Sequence, residues 1–288
     1  MIIATRASKL ALWQAEHVKN LIEVNFGIKC ELKKITTLGD RVLDRSLVEI
    51  GGKGLFLKEI EDALIAKEAD IAVHSMKDVP FRMPEGLLIA AMLKREDPSD
   101  AFVSVKYPTV ESLPQEARVG TSSLRRLIQL QQKFPYLKFE PLRGNVDTRL
   151  RKLDAGEFDA IVLASAGLKR LGLESRITQK LDLVSAVGQG AIGIECREGD
   201  TEIREMLAKL DHNETARAVK IERQFLESIN GSCQTPVGCF VKKNSADELS
   251  FDISCFLADV DGSNPKWFHS KSRWEDSLVT ISNILKDF

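Results

Sequence analysis

Residues 118–164 read RVGTSSLRRLIQLQQKFPYLKFEPLRGNVDTRLRKLDAGEFDAIVLA. A strand at Arg118–Gly120 leads into a helix at Ser123–Phe134. A strand at Lys138–Leu142 then leads into a helix at Val146–Ala155, and a third strand follows at Asp159–Ala164. Short apolar runs alternate here with 3.6-residue spacing. Such alternation builds a mostly parallel sheet, with ligands at the carboxyl ends of its strands. Working outward, the N-terminal stretch repeats the pattern. It has a strand at Ile2–Ala4, a helix at Lys9–Phe26 with Leu10, Trp13, His17, Leu21 and Val24 on one face, and a strand near Cys30–Thr36. A helix at about Leu55–Lys67 and a strand at Asp70–His74 complete it. Two similar α/β lobes are therefore expected, 1–95 with 190–210, and 98–188. They join near 94–99 and again near 186–192, where Val187-Gly188-Gln189-Gly190 is glycine-rich, and two crossings predict a hinged cleft. From about His212 a long helix to Ile229, strands near Val237–Lys242, Leu249–Leu257 and Lys266–Ser272, and a final helix make a small α+β domain, 212–288.

Composition narrows the function classes. A chain of 288 residues and 32.1 kDa can hold two or three cores. Its net charge of -1 argues against nucleic-acid binding through bulk positive charge, so any anion affinity comes from local clustering. The five cysteines include no CxxC pair and only four histidines are present, so no metal site is expected. There is no signal-like segment and no apolar run of membrane length, which predicts a cytoplasmic protein with reduced thiols.

Basic and hydroxyl residues gather where strands end. Arg6 and Ser8 follow the first strand. Lys53 lies in Gly51-Gly52-Lys53-Gly54, which lacks the spacing of a nucleotide-binding loop. His74-Ser75-Met76-Lys77-Asp78-Val79-Pro80 closes another strand. Thr121-Ser122-Ser123-Leu124-Arg125-Arg126 and Leu142-Arg143-Gly144-Asn145-Val146-Asp147-Thr148-Arg149 put hydroxyls and arginines at helix starts. Arginine in a first helical turn opposes the helix dipole unless an anion sits there. Arginine forks take carboxylate or phosphate bidentately, so a ligand with several such groups is expected. Asp78 either neutralises Lys77 or Arg6, or faces positive charge developing on a substrate and handles protons. Asn230-Gly231-Ser232-Cys233-Gln234-Thr235-Pro236 presents Cys233 on a turn, as a nucleophile, an attachment point or a turn residue.

Taken together these segments resemble the hydroxymethylbilane synthase (porphobilinogen deaminase) family over essentially the whole chain. The resemblance is carried by Thr5-Arg6-x-Ser8-x-Leu10-Ala11-Leu12, Gly51-Gly52-Lys53-Gly54-Leu55-Phe56, the 74–80 and 120–126 blocks, and Leu142 to Arg149. Ala166-Gly167-Leu168-x-Arg170-Leu171, Gly188-Gln189-Gly190-Ala191, Glu222-Arg223 and Gly231 to Pro236 extend it. Ala4 and Lys9 depart from residues common in the family, without loss of a functional group. The resemblance implies two periplasmic-binding-protein-like α/β lobes with a small C-terminal α+β domain, and a monomer. It implies a dipyrromethane cofactor joined to Cys233 by a thioether. Four porphobilinogen molecules would be added to it head to tail, each losing ammonia, before water releases hydroxymethylbilane, a step of tetrapyrrole and heme biosynthesis. It assigns catalysis to Asp78. Cofactor contacts fall to Ser75, Lys77, Thr121, Ser123, Arg125, Arg126, Asn145 and Arg149, and substrate contacts to Arg6, Ser8, Lys53, Arg143 and Arg170.

Other residues read as structural. Cys30, Cys196 and Cys255 lie in apolar, strand-like contexts, and a strand would carry Cys239 away from the Cys233 loop. His17 is expected to pack on an apolar helix face. The run 38–45 reads as a lid or a surface loop. The competing reading keeps the fold and drops the chemistry: a two-lobed ligand-capture or effector-binding protein needs the arginines but neither Asp78 nor an exposed Cys233.

Overall fold

A computed structural model describes residues 1–37, 39, 57–232 and 235–286. Lys53, Cys233 and, apart from Gly39, the 38–45 run lie outside the described residues. The chain divides into two compact units, one of residues 1–96 with 190–216, the other of residues 97–189 with 217–288.

In the first unit β1 (Ile2–Arg6) runs parallel to β2 (Glu31–Ile35) and β3 (Ile71–Ser75). The helices α1 (Lys9–Phe26) and α2 (Lys58–Ile65) make the crossovers. Ser8 starts α1 by accepting from the Ala11 amide at 3.3 Å, and Gly27, at φ 67, ends it in the left-handed conformation that glycine adopts without penalty. The sheet is completed by β4 (Leu87–Met92) and β10 (Ile192–Arg197), with β10 antiparallel to both β3 and β4. Its order is β2-β1-β3-β10-β4.

The second unit repeats that order as β7-β6-β8-β5-β9. Here β6 (Arg118–Gly120), β7 (Lys138–Glu140) and β8 (Ala160–Ala164) are parallel, joined through α3 (Leu124–Lys133) and α4 (Val146–Asp154). The antiparallel member is β5 (Asp100–Val103), which pairs with β8 on one side and with the edge strand β9 (Gln179–Leu181) on the other. In each unit the antiparallel strand next to the parallel set, β10 or β5, begins just after the chain enters that unit at 190 or 97. The segment that has just crossed over supplies, in each unit, the strand that runs antiparallel between the parallel set and the edge strand.

β11 (Val237–Lys243), β12 (Ser250–Leu257) and β13 (Lys266–Arg273) form an antiparallel meander, with α6 (Thr201–Ala208) and α7 (Asn213–Ser228) before it and α8 (Ser277–Lys286) after it. Phe256 and Ala258 of this sheet bury against Ile128 and Val184, which is why it groups with residues 97–189. Gly238 allows that approach, since an added Cβ would stand 2.7 Å from the Val184 carbonyl oxygen, and the neighbouring Cys239 amide donates to the Ser185 carbonyl at 3.0 Å.

Two expectations need correction. The buried face of α1 is Ala15, Val18 and Ile22, small or branched residues that fit closely on the sheet, together with Gln14, whose amide is bonded to Ser75. The face through Trp13, His17 and Val24 is solvent-exposed, and His17 stacks on Trp13 at 5.2 Å instead of packing in a core. The strands β4, β5, β9 and β10, absent from the sequence-based expectation, are all antiparallel members or their neighbours at sheet edges. Cys30, Cys196, Cys239 and Cys255 are buried as small hydrophobes, and burial pushes the Cys196 thiol up to about 11.

Candidate active site

The first group of candidate residues lies at the carboxyl ends of β1 and β3, which are paired in parallel with Ile3 opposite Ile71 and Ala4 opposite Ala72. Arg6 ends β1 with Ser8 two residues on, and Ser75 ends β3. Ser75 Oγ exchanges hydrogen bonds with the Gln14 side chain at 2.9 and 3.1 Å, so it is anchored inward to α1. A single 3₁₀ turn, Met76–Asp78, follows and sorts three consecutive side chains. Met76 is fully buried, Lys77 is half-buried and Asp78 is exposed. The Met76 amide donates to the Ala191 carbonyl at 3.0 Å, pinning the turn to the segment leading into β10. Gly193 on β10 makes room for Met76, because an added Cβ would collide with its Sδ. Asp78 is thereby presented outward from a turn fixed on its inner side.

The second group lies at the carboxyl ends of β6, β7 and β8. Thr121 is buried directly after β6, with its amide donating to the Glu140 carbonyl at 2.9 Å. Ser123 caps α3 by accepting from the Arg126 amide at 3.4 Å. After β7, Arg143 is half-buried, while Asn145 is exposed at the N-cap of α4 without a side-chain cap bond. Arg149 folds back so that Nε donates to the Gly144 carbonyl at 2.7 Å, around a backbone at φ 105 that favours glycine. Arg170, in the helix α5 (Ser165–Arg170) after β8, is buried.

Arg125 and Arg126 have partners within the protein. The anion that compensates them in the first turn of α3 comes from the protein itself. Arg125 Nη1 and Nη2 donate to Asp100 Oδ2 and Oδ1 at 2.7 and 3.1 Å, and Arg126 Nε donates to Oδ1 at 2.9 Å. The carbonyls of Val184 and Val162 take further donors at 2.7 and 3.0 Å, and Gln189 Nε2 adds a bond to Asp100 Oδ1 at 3.0 Å. All these side chains are buried, with Asp100 fully so. Burial alone would raise the Asp100 pKa, but Arg125, then Arg126, and the hydrogen bonds from Arg125 and Gln189 hold it well below the carboxylate range. The two guanidiniums thus knit α3 to β5 and to the 184–189 segment.

Sequence reasoning missed Asp100, Gln14 and Gly193. Gln14 and Asp100 had one signal each, a polar side chain interrupting an otherwise apolar pattern. Gly193 had none, because the need for space there arises only from the β3–β10 register. Among the described residues no cluster of histidine, cysteine and carboxylate side chains could hold a metal, and no helix is long and apolar enough to cross a membrane.

Comparison with known proteins identifies the family. A family model described as "Porphobilinogen deaminase, dipyromethane cofactor binding domain" matches residues 1–205, and one described as "Porphobilinogen deaminase, C-terminal domain" matches residues 216–277. A porphobilinogen deaminase of Nitratidesulfovibrio vulgaris is 53% identical over 91% of this chain and 84% of its own. One from Methylobacillus flagellatus is 50% identical over 91% and 85%. Among solved structures, an ABC transporter periplasmic substrate-binding protein from Coxiella burnetii aligns with a TM-score of 0.48, at 14% identity over 73% of this chain and 91% of that one. The chain is a transferase built on two α/β units with a small C-terminal sheet. It belongs to the porphobilinogen deaminase family.

Proposed function

We propose that this chain is a hydroxymethylbilane synthase. It joins four porphobilinogen molecules head to tail with loss of ammonia, and it releases the linear tetrapyrrole by hydrolysis. Cys233 is the covalent attachment point for dipyrromethane. One observation carries the reading: the family match spans 1–205 and 216–277, and within it an exposed carboxylate, Asp78, stands on a fixed turn beside Lys77 and next to the strand end bearing Arg6.

The donor chemistry fits a ligand bearing acetate and propionate groups on every ring. Arg6, Ser8, Lys53 and Lys77 from one unit, and Thr121, Ser123, Asn145, Arg143, Arg149 and Arg170 from the other, offer charge-assisted and hydroxyl donors to carboxylates. Arg125 and Arg126, committed to Asp100, act chiefly by holding α3 and its Ser123 cap in place. When bound, dipyrromethane supplies the pyrrole carbon to which the first substrate unit is added. Asp78 accepts hydrogen bonds from pyrrole N–H groups, faces the positive charge that develops as ammonia departs, and holds the proton that the leaving amine takes. Ser75, tied to Gln14, fixes the turn that carries it.

The domain reading is that 1–95 with 190–210, 98–188 and 212–288 are three domains. Separate sheets and the gap between the two family models support it. The near-neutral charge supports a small-molecule substrate over nucleic acid, and the protein is read as a cytoplasmic monomer. The test is Asp78→Asn, with turnover of porphobilinogen measured beside the intact mass of the protein. The expected result is a folded, pyrrole-loaded protein whose turnover falls by about 10²–10⁴-fold, the usual share of a general acid. Near-normal turnover of a loaded Asp78→Asn protein would remove Asp78 from the mechanism.

A further inference from the structure

Behind the turn that carries Asp78 lies a buried group of ionisable side chains that the reaction as described does not use. His74, the residue before Ser75 on β3, meets Glu195 of β10, with Nε2 and Oε2 2.7 Å apart. Glu195 is fully buried and His74 nearly so. Glu195 sits where the β10–β4 register shifts between Ile194 and Glu195, a bulge of the kind that re-aims a side chain. Glu61, on the sheet-facing side of α2, is buried and lies close enough to feel both Glu195 and His74. Glu61 Oε1 and Glu195 Oε1 are both buried without a hydrogen-bond partner. A buried carboxylate left with an orphaned oxygen is costly, so the group is poor as a mere filler of the core.

We propose that Glu195, bonded to His74, is a positioning residue that fixes the end of β3 and so sets where Lys77 and Asp78 stand. Four observations converge on this. His74 is three residues from Lys77 and four from Asp78, with only Ser75 and the buried Met76 between His74 and Lys77. β10 contributes both Glu195, which holds His74, and Gly193, which admits Met76. Two negative charges in a buried site repel, so Glu195 disfavours ionisation of Glu61. Burial first, and then Glu195, push Glu61 up to about 7, while His74 opposes the rise and Asp62 on the same helix adds slightly to it. A proton on Glu61 leaves Glu195 free to hold His74. Ionisation of Glu61 adds a second buried negative charge that competes for the same imidazole and loosens the turn. These groups lie among the residues of the first unit.

The inference rests on Asp78 being the catalytic carboxylate, and the test separates the two claims. Glu195→Gln, Glu61→Gln and Asp78→Asn are each purified, checked for loading by intact mass and for folding by far-UV circular dichroism, and assayed with porphobilinogen from pH 6 to 9. Glu195→Gln is expected to lower kcat roughly tenfold to a hundredfold, as displacements of about 1 Å do in active sites, while KM changes less than threefold. Wild-type kcat should fall as pH rises through about 7, the value to which burial and Glu195 push Glu61. Glu61→Gln, whose amide stands where the protonated acid did, should keep the pH 6 rate and lose that fall. If Glu195→Gln turns over within twofold of wild type, or if Glu61→Gln falls with pH as wild type does, the proposal is overturned. Should Glu195→Gln not fold, the pH profile of Glu61→Gln decides alone. An active Asp78→Asn would instead sink the catalytic reading itself.

Discussion

Replacing Asp100 with alanine should destabilise the second unit more than any surface change could. The carboxylate receives two bonds from Arg125 at 2.7 and 3.1 Å, one from Arg126 Nε at 2.9 Å, and one from Gln189 at 3.0 Å, all in fully or nearly fully buried surroundings. Its removal leaves two guanidiniums buried with no opposite charge, which costs about 3–5 kcal/mol. With a urea slope of roughly 2–3 kcal/mol per molar for a unit of this size, the unfolding midpoint should fall by about 1–2.5 M. Urea titration followed by circular dichroism reads this directly. A companion variant, Asp100→Leu with Arg125→Met and Arg126→Met, removes the whole ionic group and should recover most of the loss, because apolar replacements of buried ion clusters are often neutral. The pH dependence has a definite sign. The folded-state pKa of Asp100 is depressed, so its contribution is complete above the unfolded value of about 3.9 and is lost as pH falls through the lower folded value. The stability gap between wild type and Asp100→Asn should therefore be widest above about pH 4 and close below it. A midpoint shift under about 0.3 M for Asp100→Ala, or a gap that widens in acid, would refute the reasoning.

Two further predictions follow from the site geometry. Gly193→Ala drives a Cβ into Met76, so it should cost about 1–3 kcal/mol and lower turnover of the loaded enzyme, read by thermal unfolding beside the assay; unchanged values would show that Met76 relaxes freely. Ser123→Ala removes the cap on the Arg126 amide and should cost about 1 kcal/mol by urea titration, whereas Ser123→Asp, which can still cap, should cost less.

The parallel frame was legible because its strands and helices differ in hydrophobic period. The bounds of α1, Lys9–Phe26, and of β6, Arg118–Gly120, were read as they stand. The antiparallel strands were not, since IGIECR at 192–197 and DAFV at 100–103 are short apolar runs beside the unit crossings, where periodicity cannot tell a strand from a joint. The exposed aromatic stripe on α1 outweighed the smaller residues that do the packing, because hydrophobicity was weighed without fit. At the site, the arginines, the hydroxyls and Asp78 were visible as chemistry at strand ends. Their internal partners were not: Asp100 meets Arg125 from a strand 25 positions earlier, and Glu195 meets His74 across 121 positions. Only the β5–β8 and β3–β10 registers bring such pairs together.

The central claim is that this chain extends a pyrrole primer held on Cys233. Its most direct test is the intact mass of the protein under denaturing, reducing conditions, before and after brief incubation with porphobilinogen, for wild type and Cys233→Ala. The account predicts a wild-type mass exceeding the polypeptide by two porphobilinogen-derived rings, then a ladder of single-ring additions, with neither in Cys233→Ala. A wild-type protein that stays at polypeptide mass after incubation, or an adduct that persists in Cys233→Ala, would contradict it.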